Sequence, residues 1–328
     1  MPEPQAPLVL TLGDPEGIGP EIALKAWAAL KADGPVFAVT GGLDILSRTA
    51  SLLQLAPPAA IAACADAHGT FATGLPVLPD RPGSPALASI EDGVARIRAG
   101  NASGLVTNPI SKAALYAEGF AFPGHTEFLA HLTHDMAVTG ARGPVMMLAA
   151  PELKTVLVTI HQALRDAIAS LTPEKIVHIA RITHQALRRD FAIASPRLAL
   201  AGLNPHAGEG GSMGREEIDI LAPALEQLRA EGIDISGPLP PDTMFHAEAR
   251  ERYDAAVCLY HDQGLIPIKT LDFHGGVNVT LGLPIVRTSP DHGTAKDIAG
   301  KGIARPDSLI AAIRLADTIA ANRRGMRA

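Results

Sequence analysis

Cysteine is scarce in this chain, which has only Cys64 and Cys258 among its 328 residues. The two form no Cys-x-x-Cys pair, so we expect no disulfide framework and a protein of the reducing cytoplasm. Long apolar runs are also missing, and none approaches the roughly 20 residues that a membrane span needs. The Pro-rich start lacks the basic and apolar segments of a signal peptide. We therefore expect neither a membrane-spanning nor an exported protein.

An excess of basic residues is absent too. The chain has 28 Lys and Arg against 34 Asp and Glu, which gives a net charge of −6. Such a chain has no positive field with which to hold nucleic acid. With 47% hydrophobic residues, it is long enough for two domains of ordinary size or one large α/β unit.

Short apolar runs alternate with amphipathic segments that are rich in Ala and Leu. This alternation is typical of βαβ units, in which helices cover a largely parallel sheet. The predicted strands are Leu8–Leu12, Val36–Thr40, Gly104–Thr107, Pro144–Leu148, Thr155–Thr159, Arg197–Leu203 and Ala255–Leu259. The predicted helices include Pro20–Ala32, Ser111–Glu118, Pro173–Arg189, Arg215–Glu231 and Pro306–Asn322. We interpret Leu55–Ala88, which is rich in Pro and Ala and weakly periodic, as loop.

Three of these predicted strands are followed by a histidine two or three residues after their last residue. The histidines are His161, His206 and His261, each in polar or Gly-rich company. The carboxyl ends of parallel strands share one edge of the sheet, so the three imidazoles could converge there. Three neutral imidazoles with an open fourth position can hold a catalytic metal that polarises an alcohol or carbonyl oxygen. A single histidine at a strand end is more often an ordinary hydrogen-bonded residue, and the pattern alone leaves both interpretations open.

The segment Gly13–Glu21 lies between the first predicted strand and the first predicted helix. Its glycines would let backbone amides approach an anion. However, the spacing is not Gly-x-Gly-x-x-Gly, and Asp14 and Glu16 disfavour a bound phosphate. A plain tight turn explains the segment equally well.

A second polar group consists of Lys269, Asn278 and Arg287, which follow one another at intervals of nine residues. Near a metal, these side chains would suit a phosphate dianion together with a carboxylate. As isolated surface residues they would have no such role. His125 and Thr126 could add an imidazole and a hydroxyl, or Thr126 could instead cap a helix that starts there.

Taken together, these segments resemble the 4-hydroxythreonine-4-phosphate dehydrogenases of vitamin B6 biosynthesis. The matching motifs occur in the family's order along almost the whole chain, and those at Asn204 and Tyr260 are specific. They are Gly13–Glu21, Gly124–Phe128, Leu203–Gly211, Gly237–Thr243, Tyr260–Gly264 and Gly276–Pro284.

The resemblance implies a fold of two α/β/α domains with a largely parallel sheet, similar to isocitrate and isopropylmalate dehydrogenases. One domain would comprise residues 1–125 and 280–328, and the other residues 126–279, with a cleft between them. The family's homodimers place the site at the subunit interface. A divalent metal (zinc, cobalt or magnesium) would lie on His161, His206 and His261. The substrate would contact His125, Thr126, Lys269, Asn278 and Arg287.

The segment Asp291–Gly302 is similar to the adenosine-binding loop of the isocitrate dehydrogenase group. This similarity implies that NAD or NADP binds beside His292, Gly293 and Thr294, and it explains the absence of a Rossmann fingerprint. Asp242, Asp262 and Lys269 are the candidates for proton transfer, or, for the two aspartates, for orienting an imidazole.

The expected reaction is metal-dependent oxidation of 4-hydroxy-L-threonine 4-phosphate to 2-amino-3-oxo-4-(phosphooxy)butanoate, which decarboxylates to 3-amino-2-oxopropyl phosphate. Related dehydrogenases use the same motifs on threonate or erythronate 4-phosphate, so that substrate class is the main alternative. Two further alternatives are a phosphate acyltransferase, which shares the broader fold, and a non-catalytic protein that binds a metal or an anion.

Overall fold

The chain folds as two α/β units, and the computed structural model describes residues 5–111, 115–116, 120–122 and 124–326. The first unit comprises Met1–Met136 and Pro284–Ala321, and the second comprises Ala137–Leu283 and Asn322–Ala328. The boundaries predicted from the sequence are 125/126 and 279/280, with the carboxyl-terminal end wholly in the first domain. Residues 126–136 instead belong to the first unit, where Asp135 forms an ion pair with Arg98.

The strands of the first unit are all parallel to their neighbours. They are β1 (Leu8–Thr11), β2 (Phe37–Thr40), β3 (Ala59–Ala60), β4 (Pro76–Leu78), β5 (Leu105–Val106) and β12 (Arg287–Pro290), in the sheet order β3-β4-β2-β1-β5-β12. All four residues of β1, β2 and β12 are buried, as expected for strands with both faces covered.

The strands of the second unit are partly antiparallel. They are β6 (Val145–Ala150), β7 (Leu153–Leu157), β8 (Arg197–Ala201), β9 (Asp234–Leu239), β10 (Ala255–Cys258) and β11 (Val277–Leu281), in the order β11-β6-β7-β10-β8-β9. β6 is antiparallel to β7 and β11, whereas β7, β10, β8 and β9 run parallel. The α/β class with a largely parallel sheet is therefore confirmed.

Helices follow most of these strands. They are α1 (Gly19–Leu30), α2 (Leu43–Leu52), α3 (Ala67–Thr70), α4 (Pro85–Arg98), α5 (His125–Leu132), α6 (Leu164–Ala169), α7 (Pro173–Arg189), α8 (Ala222–Ala230), α9 (Pro241–Met244), α10 (Ala247–Arg250), α11 (His261–Leu271) and α12 (Asp307–Gly325). α7 shows how the sequence specifies such an element. The Thr172 side chain caps it by accepting from the Lys175 N–H, Pro173 begins it, and the apolar residues of one face are buried.

Two predictions for secondary structure were wrong. Leu55–Ala88 is not a loop throughout, because it contains β3, β4, α3 and the start of α4. These strands have only two or three residues, too few to show a period. Arg215–Glu231 is not one regular helix, since a π-helical turn (Glu217–Leu221) precedes α8. Pro223 lies in the first turn of α8, where its missing N–H is tolerated.

The helix predicted at Ser111–Glu118 lies largely outside the described residues, as does part of the Pro-rich start. Among the helices that the structure describes, none is both long and apolar enough to cross a membrane.

Candidate functional site

The carboxyl edge of the parallel strands in the second unit carries the predicted polar residues. His161 follows β7, His261 follows β10, and His206 follows β8, while Asp242 lies just after β9. Since these four strands run parallel, the residues leave the sheet at one edge. Ligands bind at this edge in open α/β sheets.

The structure brings two of the three histidines together. The ring centroids of His161 and His261 are 5.7 Å apart, and both rings line a cavity of about 290 Å³ with Gln162, Leu164 and Tyr260. His261 Nδ1 lies 2.7 Å from Asp262 Oδ1. A carboxylate at one ring nitrogen fixes the imidazole and directs the other nitrogen toward a ligand. Asp262 was one of the two aspartates predicted to orient an imidazole, and its contact is with His261.

His206 does not join this pair within a single chain. In the parts of the chain that the structure describes, no group of three or more His, Cys, Asp or Glu side chains could hold a metal ion. A zinc site needs at least three protein ligands, so His161 and His261 fit two positions of such a site and leave one to be supplied.

Buried polar side chains brace the strand ends that carry the histidines. Thr159 Oγ1 donates to the Leu259 carbonyl at 2.8 Å, which joins the ends of β7 and β10. Gln263 Oε1 accepts from the Leu259 N–H, and its Nε2 donates to the Gly202 carbonyl, both at 2.7 Å. Gln263 therefore also ties the end of β10 to the end of β8. Neither residue was predicted, although polar residues next to strand ends could have suggested them.

His206 begins a left-handed turn. Pro205–Gly211 contains six consecutive residues with positive φ, from His206 (φ 52°) to Gly211 (φ 96°). Three of the six are not glycine, and for such residues the left-handed conformation costs roughly 1–2 kcal/mol each. His206 itself is exposed at the start of this turn.

Two predicted substrate residues lie in the second unit. Lys269, on α11, is half-buried, and its Nζ lies 5.5 Å from the centroid of the Phe273 ring. Asn278 lies on β11, and its Oδ1 is buried without a hydrogen-bond partner among the described residues. Asp242 is exposed at the start of the short helix α9.

The other predicted substrate residues lie in the first unit. Arg287 begins β12 and is buried, and its guanidinium donates to Thr107 Oγ1 at 2.8 Å. Burial lowers the pKa of Arg287 to about 10, so the side chain still carries its proton at neutral pH. His125 and Thr126 form the first turn of α5, whose N-cap is Gly124. The alternative in which Thr126 caps this helix is therefore wrong.

The predicted cofactor loop follows β12 in the first unit and is anchored on the segment Gly13–Glu21. The Ile18 N–H donates to the Thr294 carbonyl at 2.9 Å. A Cβ at Gly17 would lie 2.9 Å from that carbonyl oxygen, so glycine permits the close approach. Lys296 forms ion pairs with Asp14 at 3.0 Å and Glu16 at 2.8 Å. Gly13–Glu21 therefore supports the loop, a role that the sequence did not reveal.

Helix α1 holds the far end of the same loop. The buried Glu21 carboxylate accepts from the backbone N–H groups of Gly302 and Ala304. Lys25 donates to both of their carbonyls and to Glu21. Just before the first of these anchors, His292 Nδ1 contacts the Gly293 carbonyl at 3.0 Å, and its Nε2 is buried without a partner among the described residues. Gly293 is exposed.

Comparison with known proteins agrees with this α/β architecture. The family model described as "Pyridoxal phosphate biosynthetic protein PdxA" matches residues 57–316. A 4-hydroxythreonine-4-phosphate dehydrogenase from Caulobacter vibrioides is 58% identical in an alignment that covers 97% of this chain and 98% of that relative. A crystal structure of that enzyme from Klebsiella pneumoniae superposes with a TM-score of 0.84, at 38% identity over 96% of this chain and 99% of that one.

A fourth match has a different activity in its name. The terephthalate 1,2-cis-dihydrodioldehydrogenase of Burkholderia xenovorans is 31% identical, with a TM-score of 0.62 over 95% of this chain and 98% of that one. Fold and matches together define an oxidoreductase of the two-unit α/β type. The chain belongs to the 4-hydroxythreonine-4-phosphate dehydrogenase family of pyridoxal phosphate biosynthesis.

Proposed function

We propose that this chain oxidises 4-hydroxy-L-threonine 4-phosphate with NAD⁺ or NADP⁺ in a reaction that depends on a divalent metal. The product, 2-amino-3-oxo-4-(phosphooxy)butanoate, then loses carbon dioxide to give 3-amino-2-oxopropyl phosphate. The observation that carries the proposal is the pair of His161 and His261 at the carboxyl edge of the sheet, with Asp262 on one ring nitrogen.

His161, His206 and His261 would hold the metal, which can be zinc, cobalt or magnesium. When bound, the metal supplies a positive charge that lowers the pKa of an alcohol and polarises a carbonyl oxygen. Asp262 keeps the His261 ring oriented for this task. Asp242, at the same edge, and Lys269 are the other candidates to accept the hydroxyl proton while the hydride passes to the nicotinamide.

The proposed anion clamp consists of Lys269, Asn278 and Arg287, with His125 and Thr126. A phosphate dianion and a carboxylate need several cationic or neutral donors, which these side chains supply. The buried Arg287 is the strongest candidate, because a guanidinium removed from water interacts with an anion through a low dielectric.

The proposed cofactor site is the loop at His292, Gly293 and Thr294. Its two ends are fixed by hydrogen bonds and ion pairs to Gly13–Lys25, so its backbone has a defined course. The exposed Gly293, next to the first anchor, allows close approach of a flat ring such as adenine.

We further propose a homodimer in which His206 completes the metal site of the partner subunit. The single chain offers two of the three ligands among its described residues. Large apolar side chains are exposed shortly after each histidine: Leu164 (55%), Met213 (47%), Ile218 (43%), Ile266 (63%) and Phe273 (70%). Exposed apolar surface of this kind marks interaction sites, and closed two-fold symmetry is the commonest assembly of soluble enzymes.

The test is an assay of the pure protein that follows the absorbance of the reduced nicotinamide. Protein treated with a chelator should be inactive on 4-hydroxythreonine 4-phosphate and should recover with Zn²⁺, Co²⁺ or Mg²⁺. Unphosphorylated 4-hydroxythreonine serves as the control for the anion clamp and should react very slowly. Faster turnover of threonate or erythronate 4-phosphate would overturn the proposed substrate. The absence of any reduction of NAD⁺ or NADP⁺ would overturn the proposed reaction, and formation of an acyl phosphate instead would indicate an acyltransferase.

A further inference from the structure

A buried carboxylate lies beneath the turn that carries His206. Glu217 is 4% exposed, and its Oε1 accepts the backbone N–H groups of Leu203 at 2.8 Å and Asn204 at 2.7 Å. Its Oε2 accepts from Asn204 Nδ2 at 2.9 Å. Hydrogen bonds to an ionised carboxylate are roughly twice as strong as those between neutral groups. They fix the backbone immediately before Pro205 and His206.

Glu217 also packs against the turn itself. A Cβ at Gly208 would lie 2.7 Å from Glu217 Oε2, so the turn and the carboxylate leave no room for a side chain there. The six successive positive φ values of this turn, three of them at residues other than glycine, make it costly to form. A strained turn persists only where its surroundings over-determine it, and it is often found at functional sites.

Burial opposes ionisation of Glu217, but the hydrogen bonds from Asn204 and Leu203 outweigh it and lower its pKa below the ordinary value. Glu217 therefore meets its three donors as a carboxylate at neutral pH.

We infer that Glu217 is a positioning residue for His206, holding the left-handed turn so that the imidazole is already placed for the metal. This inference rests on the proposed function, because it gives His206 the role of metal ligand. Glu217 contacts neither substrate nor metal in this scheme and acts through the backbone of Leu203 and Asn204.

The test compares Glu217→Gln with Asp219→Asn. Both variants remove one negative charge from the π-helical turn Glu217–Leu221. Asp219, however, is exposed and forms a surface ion pair with Arg215. Glu217→Gln preserves the side-chain volume but turns an N–H donor toward Asn204 Nδ2, which is itself a donor. In metal-free Glu217→Gln, the backbone amides of residues 203, 204 and 206–211 should exchange faster with deuterium than in wild type. Its Zn²⁺ affinity, measured with a competing chelator, should fall by about 10- to 100-fold, as for other residues that orient a ligand. Asp219→Asn should match wild type in both measurements.

A second variant keeps the inference testable if Glu217→Gln does not fold. Gly208→Ala leaves the charge of Glu217 intact but disturbs the turn directly, because residue 208 has φ 80° and its Cβ would lie 2.7 Å from the Glu217 carboxylate. It should likewise raise exchange at residues 203, 204 and 206–211 and weaken Zn²⁺ binding. Unchanged exchange in both variants would overturn the inference. Faster exchange with undiminished Zn²⁺ affinity would also overturn it, since the turn would then not serve the metal. If wild type itself binds no Zn²⁺, the proposed metal centre fails, whereas the exchange data still decide whether Glu217 holds the turn.

Discussion

Arg287 and Asp190 are both charged and both buried, but they have different surroundings. Asp190 accepts paired hydrogen bonds from Arg189 and Arg323, each at 2.7 and 2.9 Å. Arg287 donates to the neutral Thr107 hydroxyl and has its pKa lowered by burial. Asp190 is therefore part of a structural ion-pair group, whereas Arg287 was predicted to bind an anionic group of the substrate.

The first prediction concerns Arg287→Lys. Lysine keeps the charge but loses the planar pair of donors, so binding of the phosphate or carboxylate should weaken. We expect the KM of the phosphorylated substrate to rise about tenfold or more, since a charge-assisted hydrogen bond contributes about 1.5–3 kcal/mol. The KM of NAD⁺ should not change. Steady-state kinetics with each substrate varied in turn measure both, with Arg305→Lys at an exposed ion pair as the control. Equal KM values for Arg287→Lys and wild type would assign the residue to structure alone.

The second prediction concerns Gly293→Val in the proposed cofactor loop. A Cβ at this position meets no heavy atom within 4 Å, so the fold should tolerate the larger side chain. The added methyl groups should instead obstruct the nicotinamide cofactor and weaken NAD⁺ binding without displacing metal. Calorimetric titration with NAD⁺ measures the effect, and Gly69→Val, at another open glycine, is the matched control. NAD⁺ affinity equal to that of wild type would place the cofactor elsewhere.

At the scale of elements, regular patterns with clear boundary signals were predicted well. The predicted strand Leu8–Leu12 is observed at Leu8–Thr11, because a continuous apolar run identifies a strand buried on both faces. The helix Pro173–Arg189 has its predicted bounds, because Thr172 caps it and Pro173 begins it. β4 was missed, since three residues that begin with proline carry no periodic signal.

In the candidate site, too, some features could be predicted from the sequence and others could not. The common edge of His161, His206 and His261 follows from parallel strands, which the sequence predicted. The ion pair that supports the proposed cofactor loop could not be predicted in this way. Lys296 and Asp14 are far apart in sequence and approach each other only in the folded unit. Glu217 was also missed, since its role depends on backbone angles at His206 that no periodic pattern encodes.

The third prediction concerns the carboxyl end of α7, where Asp190 is the C-cap residue. Asp190→Ala leaves the largely buried Arg323 without this carboxylate and should cost about 3 kcal/mol of unfolding free energy. Asp219→Ala, at an exposed pair, should cost less than about 1 kcal/mol. Urea unfolding of both variants measures the difference. Equal losses would mean that the buried pair contributes no more than the exposed one.

The same carboxylate predicts a pH dependence. Burial opposes ionisation of Asp190, but the hydrogen bonds from Arg323 and Arg189 outweigh it and lower its pKa. A lowered pKa in the folded state adds stability above the ordinary aspartate value of about 3.9, and that stability is lost as the pH falls through the folded-state pKa. The stability difference between wild type and Asp190→Ala should therefore shrink below about pH 4. A difference that stays constant in acid would contradict this assignment.

At the scale of the whole molecule, the fourth prediction tests the shared metal site. His161→Ala and His206→Ala should each be inactive alone. If His206 serves the partner subunit, a mixed dimer of the two variants has one site with all three histidines intact. Random mixing makes about half of the dimers mixed, so about a quarter of the wild-type activity should return.

The control is a mixture of His161→Ala with His261→Ala. These two histidines lie side by side in one chain, so no mixed dimer regains a complete site and no activity should return. Full activity of a monomer in sedimentation at assay concentration would contradict the shared site. A confirmed mixed dimer of His161→Ala and His206→Ala that shows no activity would contradict it as well.

The first unit is built from two segments of the chain that are separated by the second unit, which has a consequence for synthesis on the ribosome. β5 pairs with β12 through Leu105 and Arg287, and the residues of the second unit lie between them in the chain. As the nascent chain emerges, β1, β2 and β5 are available early, but β5 has an open edge until β12 appears near the end. Closing so long a loop is slow, and unpaired strand edges invite association with other chains. The second unit, by contrast, has all six of its strands in one continuous segment and can fold as it emerges. Newly made chains should therefore depend on chaperones mainly in the interval before β12 is released.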